Sequence, residues 1–252
     1  MTVEHFETFV KECQRIRGAL DLLPDFCIDG VFAAWEAGGI FSPDWGSQNH
    51  DPQFTQQHIT RWWVNVAAHM SVAAVLGYKI ATHTRYQRPQ DIAEALLIHD
   101  WNKRQEVSHI KRGYDCGKIH AGCIRSNEKL LRWFSKQVVT LANAAGHGGI
   151  AITESRPLTL GEQVVFYADM CVSGSMVTPY NWRLDELQSR MQPGGIYEDS
   201  ERYFQRQYKK SYREKHEEAL VPIEAAFAKQ IEFTGPQENL PLFLAPKEFQ
   251  AA

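Results

Sequence analysis

The sequence lacks the features that direct a chain to a membrane or to a polyanion. No basic segment followed by an apolar stretch opens the chain, so no signal peptide is expected. No uninterrupted apolar run approaches the roughly 20 residues of a membrane helix. The 27 Lys and Arg residues are outnumbered by 30 Asp and Glu residues, which gives a net charge of −3. We therefore expect a cytoplasmic protein with neither a membrane nor a long nucleic acid as its partner.

Closely spaced cysteine pairs are also missing. The five cysteines are an odd number, and Cys116 and Cys123 are too far apart for the usual zinc-binding spacing. Reduced thiols are therefore expected. The sequence contains no repeat and no low-complexity tract, and its 44% hydrophobic and 23% charged residues are ordinary for a globular protein. A chain of 252 residues can bury a substantial core, and we predict a single domain over residues 1–252.

Apolar residues recur at steps of three and four along most of the chain, which predicts an all-α fold. The core of the helical bundle is predicted at about residues 58–190, with extra N-terminal and C-terminal helices packed on it. Residues 41–57 are predicted to be a loop, residues 101–125 are polar and punctuated by glycine, and the tail after 234 is predicted to be extended. The predicted helices are 3–22, 28–40, 59–81, one from Pro89 to His99, 126–145 capped by Ser126, one opened by the capping-box spacing of Thr159 and Glu162, 182–191, and a long helix 200–231 bent by Pro222.

Imidazoles and carboxylates occur on the apolar sides of three of these helices. His69 falls on the apolar side of 59–81, the adjacent pair His99 and Asp100 ends the apolar run 96–98, and Asp169 faces the same way as its apolar neighbours. Such groups are costly to bury unless something coordinates or neutralises them. Each has a simpler explanation alone: a hydrogen-bonded core histidine, a helix end, or a salt bridge to a buried arginine.

Helices that turn their apolar sides inward would bring these four residues together at the centre of a bundle. Two imidazoles and two carboxylates form a mixed nitrogen and oxygen site. That donor set suits Fe, Mn, Co, Ni or Zn better than Ca. The sequence therefore predicts a transition-metal site at His69, His99, Asp100 and Asp169.

The order of these residues resembles the signature of the HD-domain superfamily, which is a histidine, a His-Asp pair and a distant aspartate. The resemblance covers roughly residues 58–190 and implies an all-helical bundle and a metal-dependent phosphohydrolase activity. Some members carry two further histidines and hold two metals, and His120 and His147 stand in the matching places, with His109 as the alternative to His120. The resemblance thus implies one or two divalent ions, Fe or Mn first and Co, Ni, Zn or Mg as alternatives. The subfamily marked by a Gly-Tyr-Pro segment is not supported, because that tripeptide is missing.

A cation bound here would make hydroxide available near neutral pH and stabilise charge on a phosphoryl group. Asp100 and Lys103 are the predicted catalytic residues, and Lys103 and Arg183 are predicted to bind the substrate phosphate. Arg183 is the weaker candidate, and a solvated surface residue is the simpler interpretation of each cation. The expected substrate is a small phosphorylated molecule, commonly a nucleotide in related phosphohydrolases.

Two other functions remain open at this point. Members of the same fold that resemble myo-inositol oxygenase use paired iron to cleave carbon bonds, and the six-ligand set fits that chemistry equally well. A non-catalytic module that binds a nucleotide or a partner is the third hypothesis. The aromatic stripe from Tyr203 to Tyr212 favours intramolecular packing and leaves a homodimer open.

Overall fold

The computed structural model describes residues 3–45, 59–111, 115–195 and 197–251. In these residues the chain is all-α, as predicted, and two short antiparallel strand pairs are added to the helices. The helices are α1 (Val3–Leu20), α2 (Ile28–Ala37), α3 (Val64–His83), α4 (Pro89–Ile98), α5 (Lys103–Lys111), α6 (Cys116–Asn127), α7 (Lys136–Ala142), α8 (His147–Thr153), α9 (Leu160–Met170), α10 (Tyr180–Arg190), α11 (Glu198–Tyr208), α12 (Tyr212–Gln230) and α13 (Leu240–Leu244). The strands are β1 (Pro43–Trp45), β2 (Ile59–Trp62), β3 (Val172–Ser173) and β4 (Met176–Val177).

Helix α3 is the centre of the bundle. It packs against α1, α4 and α9, and most of its residues are buried on every side. By length and composition alone it could also cross a membrane, with a mean hydropathy of 1.3 over an 18-residue window. However, 83% of that window is buried inside the protein, as in the central helix of a globular fold.

Close packing of α3 against α4 depends on a glycine. A Cβ placed on Gly77 would lie 2.2 Å from Cδ1 of Leu96, which is fully buried on α4. The missing side chain lets the two backbones approach. As a result, His69 near the start of α3 and His99 at the end of α4 come to the same end of the bundle.

Two helix starts follow local capping rules. Pro89 occupies the first turn of α4, where its missing N–H costs nothing. The predicted capping box opens α9: the Thr159 hydroxyl accepts from the Glu162 backbone N–H, and the Glu162 carboxylate accepts from the Thr159 N–H. Helix α9 then carries Asp169 on its buried side.

The helix predicted from residue 59 begins later. Residues 59–62 form β2 and pair with β1, so the predicted loop 41–57 begins with a strand, and its residues 46–57 lie outside the described chain. β-branched and aromatic residues favour a strand when a partner is present, and that partner lies far back in the sequence.

The prediction of one helix over 126–145 is also wrong. Helix α6 already spans part of the polar stretch 101–125 and ends at Asn127, a 3₁₀ turn follows, and Ser135 rather than Ser126 caps the next helix, α7. The chain then turns at Gly146, whose φ of +48° suits a residue without a side chain. His147 therefore begins α8.

The predicted C-terminal helix 200–231 consists of two helices. Helix α11 ends at Tyr208 and is followed by Lys209, which has a left-handed φ of +58°. A second capping box, from Ser211 and Glu214, opens α12. Pro222 lies inside α12. The tail is not simply extended either, because it contains α13 and two 3₁₀ turns. The aromatic residues Phe204 and Tyr212 are buried in contact with each other, so they pack within the chain.

Candidate metal and substrate site

His69, His99 and Asp169 converge at the end of the bundle where α3, α4 and α9 meet. Nε2 of His69 lies 3.0 Å from Oδ1 of Asp169, and Nε2 of His99 lies 3.2 Å from the same oxygen. The side chains of all three residues are nearly or fully buried. Asp100 completes the cluster, with Oδ2 4.0 Å from Nε2 of His99. One ligand atom from each of His69, His99 and Asp100 lies within 4.8 Å of the others.

The other ring nitrogen of each histidine is held by a backbone carbonyl. Nδ1–H of His69 donates to the carbonyl of Gly174 at 3.1 Å, and Nδ1–H of His99 donates to that of Leu96 at 2.7 Å. A carbonyl can only accept, so it selects the neutral tautomer whose Nε2 carries a lone pair. Metal-binding histidines are held in this way. Gly174 reaches this position in the tight turn between β3 and β4, with a φ of +59°.

Two nitrogen lone pairs and a carboxylate oxygen directed at one point repel each other unless a cation joins them. Nε2 of His99 is buried and, among the described residues, has no aligned hydrogen-bond partner. Ligands about 2.1 Å from a transition metal and at right angles to one another lie about 3.0 Å apart. The observed separations of 3.0 and 3.2 Å allow that spacing, and they also suit a hydrogen bond when a proton stands in for the cation. These residues therefore fit a divalent transition metal.

The electrostatics of the cluster also call for a cation. Burial opposes charge on the His99 imidazole, but the carboxylates of Asp169 and Asp100 outweigh it and raise its pKa to about 9. Burial likewise opposes ionisation of Asp169, yet His99 and His69 hold the pKa of that carboxyl well below its usual range. In the absence of metal, a proton takes the place of the cation.

Lys103 lies beside the cluster of histidines and aspartates, in the first turn of α5. Its ammonium is 3.5 Å from Oδ1 of Asp100 and 3.2 Å from Oε1 of Glu106. Burial would lower the pKa of Lys103, but the two carboxylates outweigh this effect and raise it. Lys103 is therefore charged and partly enclosed, with 24% of its side chain exposed, so it is not a fully solvated surface residue.

A cavity of about 250 Å³ opens onto these residues. Arg183 lines it from α10 and pairs with Glu186, which also accepts from Arg190 and Ser173. The rest of the cavity wall includes both apolar and amide side chains. The apolar ones include Val66, Val107, Ile110, Ile119, Ile124, Leu187 and Met191, and the amides are Asn65, Asn102, Asn127 and Asn143.

The two further histidines of the predicted set, His147 and His120, belong to α8 and α6. His147 lines the same cavity, but its ring packs 5.1 Å from Phe204 and 5.4 Å from Tyr212, measured between ring centroids. The backbone of His120 lies within α6, and its side chain lies outside the described part of the chain. His109 is half-buried on α5. Among the predicted ligands whose side chains the structure describes, His69, His99, Asp100 and Asp169 converge, and His147 lines the same cavity.

Sequence reasoning missed several residues of this site. Glu106 lies one helical turn after Lys103, and that spacing is the only local signal for their contact. The Gly174 carbonyl and the amides of Asn127 and Asn143 belong to distant segments, and no motif marks them.

Comparisons with protein-family models, with curated proteins and with solved structures found no match to this chain.

Proposed function

We propose that this chain is a metal-dependent hydrolase of a small phosphate ester, with nucleotides as the substrate class and the HD-domain superfamily as its family. The observation that carries the proposal is the convergence of His69, His99, Asp100 and Asp169 beside the charged Lys103 in one cavity. Metal ligands, a phosphate-binding cation and an enclosed volume are the parts that phosphoester hydrolysis requires.

The metal ligands of the proposed enzyme are the two Nε2 atoms and the carboxylates of Asp100 and Asp169. Bound there, a divalent ion such as Mn or Fe supplies a water of lowered pKa and a Lewis acid for a phosphoryl oxygen. The carbonyls of Leu96 and Gly174 keep both imidazoles in the ligating tautomer. Loading then requires neither imidazole to change its tautomer.

Lys103 binds the phosphoryl group in this proposal. Its ammonium lies next to Asp100, so a phosphoryl oxygen beside the metal is within its reach. Glu106 holds the ammonium from the other side. Arg183, fixed by Glu186, supplies a second positive group in the cavity lining for another phosphate oxygen. The apolar wall residues limit the entry of water around the reacting group.

Phosphate release is the direct test. Purified protein is stripped of metal, loaded separately with Mn, Fe, Co, Zn or Mg, and assayed with and without oxygen against nucleotides and simple phosphate esters. We expect turnover with at least one metal and a loss of 100-fold or more in Asp100→Asn.

Asp91→Asn is the matched control. Asp91 is a buried aspartate of α4, the helix that precedes His99 and Asp100, but it pairs with Arg88 and lies outside the cavity. That variant is expected to retain activity. Three outcomes contradict the proposal: no phosphate release from any ester, oxygen-dependent turnover with iron alone, or equal activity in Asp100→Asn and Asp91→Asn.

A further inference from the structure

Three hydrogen-bonded side chains, here called the relay, link the buried Trp101 to the cavity wall. Nε1–H of Trp101 donates to Oδ1 of Asn127 at 2.7 Å. Nδ2–H of Asn127 donates to Oδ1 of Asn143, also at 2.7 Å. Trp101 directly follows Asp100, Asn127 ends α6, and Asn143 follows the last residue of α7. The three residues thus connect separate segments of the bundle.

The direction of the hydrogen bonds in the relay is fixed at its buried end. An indole N–H can only donate, so the atom of Asn127 that faces Trp101 must be the carbonyl oxygen. The NH₂ group of Asn127 therefore faces Asn143 and requires an acceptor, which must be the carbonyl oxygen of that amide. The NH₂ group of Asn143 is left at the free end. One unambiguous donor thus sets the orientation of two amides that would otherwise be free to flip.

The free end of the relay, which is the NH₂ group of Asn143, lies at the cavity. Asn143 is half-buried and lines the cavity together with His99, Asp100 and Lys103. Among the described residues, no acceptor is hydrogen-bonded to its NH₂ group. By contrast, the Lys103 ammonium already contacts two carboxylates. Asn143 therefore presents a neutral donor of fixed direction to whatever fills the cavity.

From this geometry we infer that Asn143 is a substrate-binding residue whose amide N–H donates to an acceptor oxygen of the ligand. The assignment of that oxygen to a phosphoryl group rests on the proposed function. Because the relay prevents the amide from presenting its oxygen, the site favours an acceptor over a donor at this position. Trp101 and Asn127 are positioning residues that act through Asn143.

The relay can be tested without activity by NMR of side-chain amides in the metal-free protein. The NH₂ signals of Asn143 are identified by their loss in Asn143→Asp. We expect Trp101→Phe to shift the NH₂ signals of both Asn127 and Asn143. Trp35→Phe is the matched control, because Nε1–H of Trp35 is also buried and donates at 2.7 Å, but to the Leu97 carbonyl.

A second variant keeps this test decisive if Trp101→Phe does not fold. In Asn127→Asp, the carboxylate still accepts from Trp101 but can no longer donate to Asn143. The Asn143 amide must then reverse, and its NH₂ signals should move as they become donors to a carboxylate. Asn143 signals that are unchanged in every folded relay variant would overturn the inference.

Substrate binding is tested by titrating inorganic phosphate into the Mn-loaded protein by calorimetry. Asn143→Leu removes the donor and is expected to weaken phosphate binding about ten-fold or more, with unchanged metal content. Trp35→Phe should bind as the wild type does. Equal binding by Asn143→Leu would overturn this inference alone. A wild type that neither binds phosphate nor hydrolyses any ester would overturn the proposed function as well.

Discussion

Glu162→Gln tests how the capping box of α9 stabilises the helix that carries Asp169. The Glu162 carboxylate is 2% exposed and accepts four hydrogen bonds. Arg156 donates two, at 2.6 and 2.8 Å, and the Thr159 N–H and hydroxyl donate two more, each at 2.8 Å. Glutamine keeps the shape of the side chain and an acceptor for Thr159, so the substitution removes the charge and the acceptor for one Arg156 N–H.

The magnitude follows from the pKa of this carboxyl. The hydrogen bonds from Arg156, partly opposed by burial and then reinforced by Thr159, lower the pKa of Glu162 from 4.5 to about 2. That difference corresponds to about 3 kcal/mol of folding free energy as an upper limit. The Arg156 side chain is 47% exposed, and screening of its charge reduces the expected loss to about 1–2 kcal/mol.

The sign of the pH dependence is determined by the lowered pKa. A carboxyl with a lower pKa in the folded state contributes its full stability above 4.5 and loses it as the pH falls toward about 2. Urea unfolding followed by circular dichroism at pH 7, 5, 4 and 3 measures this effect. The difference in unfolding free energy between wild type and Glu162→Gln should be largest at pH 7 and shrink below pH 4.5.

Glu214→Gln is the matched control, because Glu214 closes the other capping box, at the start of α12, but is exposed. Its effect should be clearly smaller than that of Glu162→Gln. A Glu162→Gln difference that is the same at pH 7 and pH 3, or equal effects in the two variants, would refute the reasoning.

Two further substitutions test the packing of α3 against α4 and the effect of the buried His216 on stability. Gly77→Ala would place a Cβ 2.2 Å from the buried Leu96, so we expect a loss of about 1–3 kcal/mol in urea unfolding, whereas Gly122→Ala on α6, with nothing within 4 Å, should be neutral or stabilising. Equal effects of the two glycine variants would contradict the packing argument. Burial lowers the pKa of His216 to about 4, and its Nδ1–H is already donated to the Tyr212 carbonyl. A histidine with a lowered pKa loses stability as the pH falls from 6.5 to 4, by up to about 3 kcal/mol, and His216→Phe should lack this loss in unfolding curves measured at pH 7, 6, 5 and 4. A wild-type protein whose stability changes no more over this range than that of the variant would contradict the assignment.

Elements set by a short stretch of sequence could be predicted. The capping box from Thr159 to Glu162 needs only four residues, and the apolar period of α3 is long enough to place His69 on its buried side. The equivalent box at Ser211 and Glu214 was present in the sequence, but the apolar pattern continued through it. The break at Lys209 depends on a left-handed backbone, which no residue type at that position signals.

Elements that depend on distant partners could not be predicted. Strand β2 forms because β1 lies beside it, and the short helix α7 begins at Ser135 after a 3₁₀ turn that has no periodic signal. The same limit applies to the site. His69, His99, Asp100 and Asp169 could be identified by residue type and helix face, whereas the orientation of Asn143 depends on an indole 42 residues earlier in the chain.

The most direct test of the account is the metal content of the wild type and of one ligand variant, measured by mass spectrometry after loading with Mn or Fe and removal of free ions. We expect at least one ion per chain in the wild type, near-complete loss in His99→Gln, and full content in Asp91→Asn. A wild type that retains no metal, or a His99→Gln variant that retains as much as the wild type, would contradict the central claim.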